Sequence, residues 1–102
     1  MPHIRAVGGK VLEQQIMVNG LNEIKAITSE AIQWYDAIEV ADSRDAIANA
    51  KSILGLMALD YSTPVTVISE NAEAAQKVCH AVETLKETAG RQPLQRSPAL
   101  KI

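Results

Sequence analysis

The hydrophobic period of the chain changes at Asn19-Gly20, and that switch constrains its fold more than any other feature. Before it, Leu12, Ile16 and Val18 lie on one side of an extended segment and Glu13 and Gln15 on the other, which predicts a strand over Val11 to Val18 broken only by Gln14 and Met17. After it, Leu21, Ile24, Ile27, Ala31 and Trp34 or Tyr35 recur at the spacing of one helix face. A chain that turns from a half-buried strand straight into an amphipathic helix must stack that helix on a sheet.

The rest of the chain extends the pattern. Ala37 to Asp42 alternates with Ile38 and Val40 inward, Asp42-Ser43-Arg44-Asp45 is a polar turn, and Ala46 to Ala50 returns as a hairpin partner. Ser52 is an N-cap for a short helix over Ile53 to Leu59, which stops at the breakers Asp60 to Pro64. Val65 to Ser69 is a further strand, and Asn71 caps a longer helix with Ala75, Val78, Cys79, Val82 and Leu85 on one face. The order βαββαβα predicts an α+β fold, an open-faced β-sandwich with a four-stranded antiparallel sheet and three helices on one face. Residues 11–87 form the expected domain and residues 1–10 an N-terminal extension. From Thr88 onward Gly90, Pro93 and Pro98 interrupt any period, and Arg91, Arg96 and Lys101 make 88–102 a flexible basic tail in this reading.

Composition narrows the function classes. A chain of 102 residues fits one domain able to bury a core without metal or disulfide support. The net charge of −2, with both signs interspersed, gives no field for nucleic acid or an anionic membrane. Cys79, the only cysteine, excludes an internal disulfide and a thiolate zinc cluster and suits a reducing compartment. No apolar run approaches the roughly 20 residues of a membrane span, and Met1 to Lys10 lacks a signal peptide's apolar stretch. The expectation is a cytoplasmic protein without a cofactor.

Three local signatures in this element order resemble the HPr family, the histidine-containing phosphocarriers of the bacterial sugar phosphotransferase system. Asn19-Gly20-Leu21 followed by Ala26 resembles the family's N-G-[LI]-H-x-R-P-A segment, and Tyr35-Asp36-Ala37 its junction into the second strand. Asn49-Ala50-Lys51-Ser52-Ile53-Leu54-Gly55-Leu56-Met57-Ala58-Leu59 closely resembles N-A-K-S-I-[ML]-G-[VL]-M-x-L, the segment around the family's regulatory serine. The resemblance runs from Val11 to Glu87, with the first helix one residue shorter and the loop near Pro64 shorter by about two.

Where the family places its phosphorylated histidine, arginine and proline, this chain has Asn22, Ile24 and Lys25. Imidazole is nucleophilic near neutral pH, whereas an amide forms no transferable phosphoramidate. The resemblance therefore implies a vacated phosphohistidine site, with Asn22 reduced to a helix cap. His3 and His80 are expected to be surface residues, Cys79 a small core residue, and Gly8-Gly9-Lys10 lacks the rest of a phosphate loop.

Ser52 is both a cap and, by the resemblance, the target of an HPr kinase/phosphorylase. Phosphate at a helix start gains from free N–H groups. Ile53, Leu54 and Met57 fall on a side of the short helix away from Leu56 and Leu59, a candidate partner-binding patch. The pattern is closest to the Crh-type catabolite-repression members, which lack the histidine, keep the serine and act with the regulator CcpA. Ile24 departs even from these, because they retain the arginine. The leading expectation is a regulatory docking module, and the alternative a diverged HPr-like interaction domain with an unrelated partner and no phosphorylation. An enzyme is disfavoured because no carboxylate pair, metal cluster or nucleophile with its base stands at interpretable spacing. Nucleic-acid binding through Arg91, Arg96 and Lys101 is disfavoured because no aromatics interleave them.

Overall fold

The change of period at Asn19-Gly20 is a strand-to-helix corner. A computed structural model describes residues 4–7 and 11–91 of the chain. Strand β1 (Ile4–Val7) precedes β2 (Val11–Ile16), and α1 (Leu21–Ala31) follows the corner. Then come β3 (Ile38–Ala41), β4 (Ile47–Asn49), α2 (Ile53–Met57), β5 (Val65–Ser69) and α3 (Ala72–Arg91). The sheet order is β1-β2-β5-β3-β4 with every neighbouring pair antiparallel. The four expected strands, β2 to β5, are all present with their three helices, in the expected order.

β5 lies at the centre, with Val67 opposite Gln14 on β2 and Val40 on β3. Its Val65, Val67 and Ser69 point into the core while Thr66 and Ile68 turn to the other face. α1 and α3 pack on each other, and α3 lies on β2 and β5. Ile24, Ile27 and Ala31 of α1 and Ala75, Val78 and Val82 of α3 are buried against Ile16, Val40 and Val67 of the sheet. Burying one such branched side chain contributes about 1.5–3 kcal/mol, so this layer outweighs any polar contact in the domain.

Several boundaries differ from the expectations. The N-terminal extension is not separate from the sheet: Ile4–Val7 pairs antiparallel with β2, from Ile4 opposite Gln14 to Val7 opposite Val11. It supplies partners for the backbone of β2, which would otherwise be an edge, and four residues are too few for a readable period. Gln14 does not break β2; it faces the core at 7% exposure, and its Oε1 has no partner among the described residues.

α1 ends at Ala31 because Gln33 and Trp34 donate N–H bonds to Glu30 and Ala31 three residues back, which tightens and closes the helix. α2 stops at Met57 in the same way, through Ala58 to Gly55 and Leu59 to Leu56. α3 runs through Gly90 to Arg91 rather than stopping at Glu87; one Gly costs a helix only about 1 kcal/mol relative to Ala. The remainder of the expected tail, from residue 92, lies outside the described residues, as do His3 and Gly8-Gly9-Lys10.

Candidate functional site

Two helix starts carry the chemistry singled out in the sequence. At the first, Gly20 and not Asn22 is the N-cap of α1, and its carbonyl accepts the N–H groups of Glu23 and Ile24. Glu23 reaches back so that its Oε1 accepts the N–H of Asn19 at 2.8 Å. The bond is similar to the return half of a capping box but displaced by one residue, since it takes the N–H before the N-cap Gly20, and it places the carboxylate at the positive end of the helix. Asn22 is exposed one position into the helix, Lys25 is exposed, and Ile24 is buried at 7% exposure.

The corner itself frames a groove of about 440 Å³ between α1 and α2, lined by Val18, Gly20, Leu21, Ile24, Met57 and Tyr61. Leu21 and Met57 stand about half exposed at its lips. Tyr61 is fixed on its floor, its hydroxyl donating to the carbonyl of Leu56. Burial, with a smaller contribution from the negative charge of Asp42, pushes the Tyr61 hydroxyl up to about 12, so it remains a neutral donor. Sequence reasoning placed Leu21 on the buried stripe of the helix. It is instead exposed, because it begins the first turn, before the helix is covered.

At the second helix start, Ser52 is extended and exposed, and its Oγ accepts the N–H of Gly55 at 3.1 Å. Gly55 suits this spot because a Cβ there would meet Ser52 Oγ at 3.2 Å and Ala48 Cβ at 3.4 Å. The segment entering α2 is held by Lys51, whose Nζ donates to the carbonyl of Trp34 at 2.7 Å, and by Asn49, whose Oδ1 accepts the N–H of Lys51. Leu56 and Leu59 are buried as their shared side predicts, and Leu54 and Met57 are 77% and 53% exposed. Ile53 is the exception among the patch residues: it is half-buried and packs against the core, since the first turn of α2 lies too close to the sheet to free it.

A polar knot anchors the other side of α2. The Asp42 carboxylate accepts the N–H groups of Arg44, Ala46 and Asp60 at 2.9–3.0 Å, tying the β3–β4 turn to the segment after α2. These bonds, the one from Asp60 first, hold its carboxyl below the ordinary value. Asp60 is lowered likewise, first by the backbone N–H of Ser62 and then by its hydroxyl, with Arg44 Nη1 at 3.6 Å from the other oxygen. The positive φ of Asp45 belongs to the same turn.

His80 is exposed on α3, where its Nε2 lies 3.3 Å from Thr84 Oγ1. Cys79 is buried, and burial foremost, then Glu83, pushes its thiol up to about 12. Among the described residues no group of three His, Cys, Asp or Glu is placed to hold a metal ion, and no helix is long and apolar enough to cross a membrane.

No family model matches the chain, and no curated protein does. Among solved structures, the chain is similar to a crystal structure of a phosphocarrier protein HPr from Bacillus anthracis str. Ames, with a TM-score of 0.58 and 23% identity. The match covers 70% of this chain and 95% of that one. The α+β open-faced sandwich is therefore the HPr-type fold.

Proposed function

We propose that the chain is a non-phosphocarrier HPr-like regulatory protein of the Crh type. It is phosphorylated on Ser52 and docks through Leu54 and Met57, with Ile53 beneath them, onto a transcriptional regulator or enzyme of carbon catabolite control. The observation that carries this reading is the contrast between the two helix starts. At α1 an exposed amide replaces a nucleophile, Ile24 fills the arginine position with buried apolar bulk, and the Glu23 carboxylate already takes the favourable field. An incoming phosphoryl group would meet a like charge there. At α2 an exposed serine hydroxyl caps the helix beside an exposed Leu and Met, where phosphate replaces a cap rather than disrupting packing.

In this reading the chain is a cytoplasmic binding module rather than an enzyme and uses no cofactor. An HPr kinase/phosphorylase writes the phosphate and a CcpA-like regulator reads it. The test is incubation with HPr kinase/phosphorylase and ATP, followed by mass spectrometry. Phosphate on Ser52 in the native chain and none in Ser52→Ala is the expected result; labelling that persists in Ser52→Ala would sink it. The apolar groove beside Leu21 and Met57 favours a second reading, an HPr-like interaction domain whose unrelated partner needs no phosphate. In that case Ser52→Ala leaves partner binding unchanged.

A further inference from the structure

The loop that leaves α1 presents an aromatic ring wholly to solvent on a backbone that is tied down around it. Tyr35 is 101% exposed, and Ile32, on the turn before it, is 61% exposed. The carbonyl of Trp34 accepts Lys51 Nζ at 2.7 Å, and the Asp36 carboxylate accepts Asn71 Nδ2 at 3.0 Å. The carbonyl of Ala37 accepts the Ser69 hydroxyl at 3.0 Å. Trp34 itself turns inward against the core, with its ring N–H on Glu30. Tyr35 therefore has little backbone freedom left to lose on meeting a partner, the condition under which an exposed tyrosine serves as an anchor.

This surface is separate from the groove. The groove is lined by the first turn of α1, with Leu21 and Ile24, whereas Ile32 and Tyr35 follow its last residue, Ala31. A helix of 11 residues puts about 16 Å between its ends at about 1.5 Å per residue.

The surrounding charge selects the occupant. Glu30 lies in the last turn of α1, Asp36 follows the tyrosine, and Glu70 and Glu73 flank the Asn71 that holds Asp36. Among the described residues none of these carboxylates is in an ion pair. The last turn of α1 has no basic residue, so the negative end of its dipole adds to the same field. Of the nearby cations, Lys51 is taken up by the Trp34 carbonyl, and Lys77 stands one turn further along α3. All twelve acidic residues lie between Glu13 and Glu87 with only five of the ten basic ones, so that segment carries −7. A second copy would bring like charge to this surface, whereas a cationic segment is drawn to it.

We propose that the exposed pair Ile32 and Tyr35, on the clamped turn after α1, is a docking surface for a basic segment of a protein partner. An arginine or lysine of that segment lies over the Tyr35 ring with its aliphatic stem towards Ile32, and neighbouring basic side chains meet Asp36, Glu70 and Glu73. A cation over an exposed aromatic face strengthens binding by about two- to fivefold. The inference is independent of Ser52 phosphorylation and of the groove beside Met57.

The test titrates the isotope-enriched full chain with a peptide that alternates arginine and leucine, read by amide NMR shifts. The amides of Ile32, Tyr35, Asp36 and Glu70 move, and those of Gly20 and Met57 stay in place. Tyr35→Ala, at a position free of packing, weakens the peptide by about two- to fivefold. Tyr35→Phe keeps the ring and the affinity, Glu70→Lys weakens binding, and raised salt does so in part. No movement of these amides up to about 1 mM peptide would overturn the proposal. So would a Tyr35→Ala chain that binds as tightly as the native one, or shifts spread equally to Glu87 at the far end of α3, because charge alone would then be at work. Movement of the same amides on concentrating the protein without peptide would overturn it too, since the occupant would be a second copy.

Discussion

Replacing Ser52 tests whether the second helix start works as the structure describes. Its hydroxyl accepts one bond, from Gly55 N–H at 3.1 Å, and α2 is only five residues long. The cap is therefore a large share of what defines that helix. The serine is exposed, so water partly replaces the lost bond, and Ser52→Ala should cost about 1 kcal/mol, within the usual range for caps. In a domain of this size that lowers Tm by roughly 4–8 °C. Ser52→Gly should cost only a few tenths of a kcal/mol. Ser52→Asp keeps an acceptor and adds negative charge at the helix start, so it should equal or exceed the native chain by up to about 1 kcal/mol. Thermal melts followed by circular dichroism give the order Asp, Ser, Gly, Ala from most to least stable. An aspartate variant that melts below the alanine variant would refute the reasoning and, with it, the argument that a phosphate is tolerated there.

Other expectations follow from the same geometry. The lowered Asp42 carboxyl stabilises the fold fully above the ordinary carboxylate value of 3.8, and that contribution disappears as pH falls below it through the folded value. Melts between pH 7 and about pH 3 should therefore show the native chain losing more stability than Asp42→Asn across that acid window. Cys79, buried with its thiol pushed up to about 12, should resist thiol reagents in the folded chain and react at once in denaturant, as absorbance assays will show. Leu56→Ala, at a fully buried position, should cost about 2–5 kcal/mol in denaturant titrations. Leu54→Asp, at the exposed neighbour, should change stability by less than about 0.5 kcal/mol.

The elements that could be read from the sequence are those with a local cause. The corner at Asn19-Gly20, the strand Val65–Ser69 and the Ser52 cap each follow from spacing and cap chemistry over a few residues. β1 was not legible, because its existence depends on pairing with β2 rather than on a period of its own. The same holds for Gln14, a polar residue on the buried side of a strand. At α1 the letters Asn22 and Glu23 allow either residue to cap, and only the fold shows Glu23 turned back to Asn19. The groove joins Val18–Ile24 to Met57 and Tyr61. No pattern within one segment reveals a surface built from two. Ile53 and Leu54 are adjacent and similar, and the tilt of a five-residue helix decides which is exposed.

The central proposal is that this HPr-type fold, with Asn22 exposed and Ile24 buried at its first helix start, carries no phosphate acceptor there. Phosphorus NMR of the native chain with enzyme I and phosphoenolpyruvate, beside a true HPr under the same conditions, tests it most directly. The account predicts a phosphoramidate signal from HPr and none from this chain. An acid-labile phosphate on this chain, at any residue, would contradict it.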